Sequence, residues 1–178
     1  MIILSILVIV AISYTALNNS GDSIVNDEMG EDSVASDDSI KSYVGDCLVE
    51  SSKSTITDAG LGGGYINPPE KHFPFIYSKV PYYYYEGKDL TPSIEKIESN
   101  IEEGIDKDLE ECLDFEKFRD KGYTINDKER SIDVNIGEKG IDIKMQYPIT
   151  AIMAGSHKSY EDFHHVEDVR FKELYGIS

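Results

Sequence analysis

The chain opens on an apolar run, Met1 to Leu17, and passes abruptly into a polar, acidic stretch, Asn18 to Ser39. No side chain of the apolar run is charged. About 17 residues is the lower limit for crossing a bilayer, and as a helix such a run covers roughly 25 Å. Tyr14 falls near the end of the run, where aromatic rings settle at the headgroup level. The pattern predicts an N-terminal transmembrane helix over residues 1–17 that holds the chain to a lipid bilayer. A cleaved secretory signal and a buried core helix are the competing readings. Against the signal, the opening carries no base, and Ala11-Ile12-Ser13 leaves only a short hydrophobic region before cleavage. Against the core helix, every face is apolar and a charged stretch follows at once. Residues 18–39 hold seven acids and no base, so they are expected to form a disordered acidic linker. Asn18-Asn19-Ser20 is a glycosylation sequon, usable only outside the cell.

From residue 40 to 178 the periodicity predicts one α+β domain. Ile40, Val44, Cys47, Leu48 and Ile56 place a first helix over Ser39–Ala59, capped by Ser39 and ended by Gly60. Gly62-Gly63-Gly64-Tyr65 then leads into Asn67-Pro68-Pro69. Phe73 to Tyr77 and Val80 to Tyr85 read as extended aromatic segments. In a continuous strand Tyr82 and Tyr84 face one way, Tyr83 and Tyr85 the other. Packing on the helices is the plain reading of this run, and a sugar- or partner-binding face is the functional one. Thr91 as cap and Pro92 as first residue open a second helix. Its apolar stripe is Ile94, Ile97, Ile101, Ile105, Leu109 and Cys112, and its acidic opposite face is expected to be solvated.

Beyond Gly122 the period changes from helical to alternating. Ile132, Val134 and Ile136, the turn Gly137–Gly140, then Ile141, Ile143 and Met145 predict a β-hairpin with one buried face. Tyr147 to Ile152 continues the second strand past Pro148, which implies an edge or a bend. Phe163, Val166, Val169, Phe171 and Leu174 are consistent with a helix over Tyr160–Tyr175. The expected architecture is two amphipathic helices on a small antiparallel sheet.

Charge narrows the partners. The net charge is −17, with 34 acids against 17 bases, and phosphate backbones require clustered Lys and Arg, so no nucleic acid is expected. The only cysteines are Cys47 and Cys112, one on each expected helix. A Cys47–Cys112 disulfide is expected, since pairing outside the cell favours it; in a reducing place the two would stay buried thiols. The first Lys or Arg is Lys41, so flanking charge says little about orientation. An acidic domain gains nothing from an anionic cytoplasmic leaflet, which favours the domain outside.

No motif commits the chain to a reaction. The run Gly62–Gly64 lacks the Gly-Lys-Ser/Thr that a phosphate-binding loop places before its helix. His164-His165 among Glu161, Asp162, Glu167 and Asp168 is the one metal-like cluster, but adjacent helical residues point about 100° apart. No metal or cofactor is expected, and no catalytic residue is assigned.

The strings Cys47-Leu48, Gly62-Gly63-Gly64-Tyr65-Ile66-Asn67-Pro68-Pro69, Val80-Pro81-Tyr82-Tyr83-Tyr84-Tyr85-Glu86-Gly87, Pro92-Ser93-Ile94-Glu95, Cys112-Leu113 and Tyr147-Pro148-Ile149 together resemble a group of uncharacterised archaeal membrane-anchored proteins, frequent in small-genome lineages. The resemblance spans roughly residues 42–152. Members commonly carry a pilin-type leader before a hydrophobic helix, which implies an extracytoplasmic, pilin-like surface role. The present chain begins inside the hydrophobic stretch, without the basic-Gly step. Members also run on past the position of Ser178, so a short or truncated member is expected. The combined expectation is a single-pass cell-surface protein for adhesion, envelope interaction or pilus-like assembly, with an envelope protein, a glycan or its own copies as partner. An extracytoplasmic hydrolase or glycan-processing enzyme using Asp/Glu is the alternative; it needs two converging carboxylates near Tyr82–Tyr85. A solute-binding subunit is a third, and it needs a closed pocket beneath Gly62–Tyr65.

Overall fold

A computed structural model describes residues 39–75 and 78–171. The anchor expected over 1–17 and nearly all of the linker expected over 18–39 lie outside the described residues, as do the last residues of the helix expected at Tyr160–Tyr175. Among the described residues no helix is long and apolar enough to cross a membrane.

The domain is α+β. Helix α1 runs Ser39–Leu61 and helix α2 runs Ile94–Cys112. They pack side by side in opposite directions, because three contacts fall in reverse order along them. Cys47 meets Cys112, Thr55 Oγ1 donates to Asp108 Oδ2 at 3.1 Å, and Gly64 just past α1 sits on Ile97. The close approach explains why the pattern of α1 is weak in sequence: its buried face includes Ser51, Ser52, Thr55 and Ala59 beside the aliphatics. Gly104 of α2 faces this stretch, and a Cβ there would lie 2.6 Å from Thr55 Cγ2 and 2.5 Å from Ile66 Cδ1.

Three helix ends differ from expectation. Ser39 lies within the first turn of α1, and its buried Oγ makes no hydrogen bond, so it does not cap. Helix α1 continues through Gly60 and closes at Gly63, whose φ of +61° lets Gly62 N–H reach Asp58 O and Gly64 N–H reach Ala59 O. The cap of α2 is Ser93, not Thr91: Ser93 Oγ accepts from Lys96 N–H at 3.2 Å. Thr91 N–H is instead taken by Asp89 Oδ1 at 2.9 Å, a local Asx contact that holds Thr91 out of the helix.

A short helix α3, Glu116–Asp120, precedes the main sheet. That sheet has four antiparallel strands, β5 Thr124–Asp127, β6 Ser131–Ile136, β7 Ile141–Met153 and β8 Ser156–Glu167. The expected hairpin is present as β6–β7, with Val134, Ile136, Ile141, Ile143 and Met145 all buried. Strand β7 is central: β8 follows one side of it along its length, so β6 and β5 must share the other side end to end. Pro148 falls in the gap between them, since β5 ends opposite Ile149 and β6 begins opposite Gln146. The pairing with β8 also shifts between Gln146 and Ile149. The edge reading of this segment is therefore overturned and the bend is what occurs, at a place where the missing proline N–H costs no ladder bond.

The helix expected at Tyr160–Tyr175 is absent over Tyr160–Glu167, which belongs to β8. Lys158, Tyr160, Phe163, His165 and Glu167 are the more buried positions, a strand alternation interrupted once near the shift in register. Burial of α1 and α2 against the inner face of the sheet makes one core, from Val44, Leu48, Ile101 and Ile105 to Ile143, Met145 and Ile149.

Candidate functional site

The tyrosine run does not form one strand. Two small hairpins occupy this region, β1 His72–Phe75 with β2 Ser78–Pro81, and β3 Tyr84–Tyr85 with β4 Lys88–Asp89. Tyr82 and Tyr83 bridge them, and the expected alternation fails. Tyr82 and Tyr85 lie on one side as a ring pair, with centroids 5.4 Å apart. The break comes at Pro81, which completes β2 but has no N–H to extend a ladder. Lys71 Nζ stands 5.9 Å from the Tyr85 ring centre, and Tyr82 N–H reaches Lys71 O at 3.5 Å, so the two hairpins abut.

Tyr83 joins this layer to the glycine-rich turn. Its hydroxyl donates to Gly63 O at 2.9 Å, and Leu90 N–H returns to Tyr83 O at 2.7 Å. Tyr65 OH donates to Leu90 O at 3.0 Å, and buried Asn100 donates from Nδ2 to Gly64 O at 2.8 Å. All the loop's N–H groups from Gly62 to Tyr65 bond within the turn and the end of α1. None is left to cradle an anion. The space beneath the loop is filled as well: a Cβ on Gly64 would meet Ile97 and Pro92 at 2.9–3.0 Å. The turn is a joint between α1, α2 and the hairpins, with Ile97 and Pro92 packed against Gly64.

Four large apolar side chains are exposed in this region. Phe73 and Val80 are cross-strand partners on one face of the first hairpin and are 52% and 42% exposed. Tyr84 is 69% exposed on the second hairpin, and Leu61, beside the glycine turn, 72%. Of the four candidate tyrosines, Tyr83 is thus a positioning residue, Tyr82 and Tyr85 form a framework pair, and Tyr84 offers its ring to solvent. Sequence reasoning misses the part played by Phe73, Val80 and the interleaved Lys71, Lys79 and Lys88. A concentration of lysines around aromatics in an acidic chain is the available signal.

Glu86 occupies the turn of the second hairpin at φ +52°, and Asp89 is held by Thr91 N–H. That hydrogen bond holds the Asp89 carboxyl below its ordinary range. The acidic face of α2 is only partly solvated, contrary to expectation. Glu98 Oε1 accepts from Ile136 N–H at 2.8 Å, Glu102 Oε1 from Val134 N–H at 3.1 Å, and Asp106 takes Arg130 at 2.6 Å. This stripe, at every fourth residue, covers the free edge of β6.

The outer face of the sheet holds an open depression of about 530 Å³ bounded by Asp133, Lys144, Gln146, Asp162 and His164. Asp133 and Asp162 stand two strands and two residue pairs apart, about 12 Å between their backbones by strand geometry. His164 and His165 point to opposite faces of β8: His164 Nε2 bonds Asp142 Oδ1, and His165 Nε2 lies 2.9 Å from Glu167 Oε2. The His164 bond, with help from Lys144, holds the Asp142 carboxyl below its usual range. Among the described residues no group of three or more His, Cys, Asp or Glu is placed to hold a metal ion.

The sulfurs of Cys47 and Cys112 are 2.00 Å apart with Cα atoms at 5.8 Å, a disulfide linking α1 to the end of α2. Tyr43 braces that end, donating to Cys112 O at 2.5 Å and accepting from Asp114 N–H at 2.8 Å. The chain matches no family model, no curated protein and no solved structure.

Proposed function

We propose that this is a membrane-tethered, extracytoplasmic protein that acts by binding to an envelope component, with its paired aromatic hairpins as the binding face. One observation carries the reading. Five large hydrophobic side chains are exposed among the described residues, and four of them, Leu61, Phe73, Val80 and Tyr84, fall between Leu61 and Tyr84. Exposed large apolar groups gathered in one segment of chain, on and beside hairpins fixed by Tyr83 and the glycine turn, support an interaction role for that segment. The tether rests on the apolar run of residues 1–17, and the extracytoplasmic side on the Cys47–Cys112 disulfide.

The test uses the full chain in intact cells, alkylated without reductant, with external protease added in parallel. The expected result is that Cys47 and Cys112 resist alkylation until reduced, and that protease removes the domain. Freely alkylated cysteines in a protected domain would place the domain in the cytoplasm and end this reading.

A further inference from the structure

We propose that the hairpin pair docks onto an anionic lipid bilayer, so that the domain lies against a membrane surface through a second contact besides its N-terminal run. This names the partner of the face described above and rests on that reading. The first observation is composition. A carbohydrate platform needs flat rings turned outward, but here the Tyr82 and Tyr85 rings face each other, tilted by 34°, and two of the four outward groups are aliphatic, Leu61 and Val80. Mixed aliphatic and aromatic groups suit the boundary between headgroups and acyl chains, where Tyr rings keep their hydroxyls wet.

The second observation is charge. The chain as a whole carries twice as many acids as bases. Between Lys71 and Lys88 the balance reverses, with Lys71, Lys79 and Lys88 against Glu86 alone. With the flanking Glu70 and Asp89 the hairpin stretch carries three bases and three acids, so it is neutral in a chain of net charge −17. All three lysines are exposed. Their stems can lie along apolar surface while the ammonium groups reach lipid phosphates. The acidic remainder of the domain is repelled by the same surface, which turns the hairpin end toward it.

The chain contains no tryptophan, so Tyr84→Trp installs a single reporter where the ring is already exposed. The full chain carrying it is reconstituted into vesicles of phosphatidylcholine alone or mixed with phosphatidylglycerol, each with brominated acyl chains. Docking predicts a blue-shifted, quenched emission in the anionic vesicles only, weakening as salt rises. Replacing Lys71, Lys79 and Lys88 by Gln lowers the docking equilibrium on the order of a hundredfold. Val166→Trp, at an exposed site on β8, stays unquenched and shows that the effect belongs to the hairpins. Flotation after alkaline extraction reads the N-terminal tether separately. A chain that floats while the Tyr84→Trp reporter stays unquenched overturns the docking and leaves the tether standing. A chain that is extracted yet quenched at neutral pH does the reverse. Quenching that survives the lysine substitutions overturns the electrostatic part. An emission shift with a soluble acidic polysaccharide, and none with vesicles, replaces the bilayer by a glycan.

Discussion

Two turns put side chains where glycine or asparagine would sit more easily. Glu86 at φ +52° precedes Gly87 between β3 and β4, and Ala154 at φ +49° precedes Gly155 between β7 and β8. Both are two-residue hairpin turns in which an Asn-Gly pair is favoured. Glu86→Asn and Ala154→Asn should each stabilise the domain by about 0.5–1 kcal/mol, read as a shifted denaturant midpoint at constant slope. A buried phenol gives the second prediction. Burial, then the hydrogen bond to Asp127 Oδ2 at 2.7 Å, pushes the Tyr147 hydroxyl far above its ordinary value. The folded state prefers the neutral phenol, so this stabilisation is present below about pH 10 and is lost as pH rises through the folded value. Ultraviolet titration should find one tyrosine that ionises last, and Tyr147→Phe should remove that step at a cost of about 1 kcal/mol.

The elements meet through contacts that periodicity only partly reveals. The stripe Ile97, Ile101, Ile105 and Leu109 was legible because apolar spacing of three and four residues has one structural meaning, and each of these residues is fully buried. Glu98, Glu102 and Asp106 share one helix face by the same arithmetic, yet nothing in sequence tells a solvated carboxylate from one that caps a strand edge. That distinction is made by β6 alone, whose outward N–H groups need acceptors. Replacing both glutamates by alanine should speed amide exchange at Val134 and Ile136, while glutamine, which keeps a carbonyl acceptor, should largely restore protection. Residues Tyr160–Glu167 misled for a related reason: a distortion of the strand moved Phe163 out of step with Tyr160 and imitated a helical spacing. Helix α2 offers a reversal of the usual rule. Alanine favours a helix over glycine by about 1 kcal/mol, but Gly104→Ala drives a methyl into Thr55 and Ile66. Overpacking should win, with a net loss of about 1–2 kcal/mol in chemical unfolding.

At the scale of the whole molecule, the disulfide joins residues 65 positions apart. Chain entropy gives such a closure about 4 kcal/mol, so reduction under native conditions should lower unfolding stability by about that amount. The disulfide and the helix pair were foreseeable from two cysteines on two periodic segments. The division of the tyrosines was not, because Pro81 and the glycine turn set it from a distance. The closed loop contains the glycine turn and both hairpins, while all four strands of the main sheet lie beyond Cys112. Mechanical load gives this arrangement a further meaning. A pull entering at Ser39 and leaving through hairpins held by a partner runs along the first turns of α1. At Cys47 it divides between the two arms of the loop, one toward Lys71 and one through Cys112 toward Asp89. The main sheet lies off that path, so the domain can transmit tension while its core strands stay slack, and cutting the disulfide would leave a single arm to carry it.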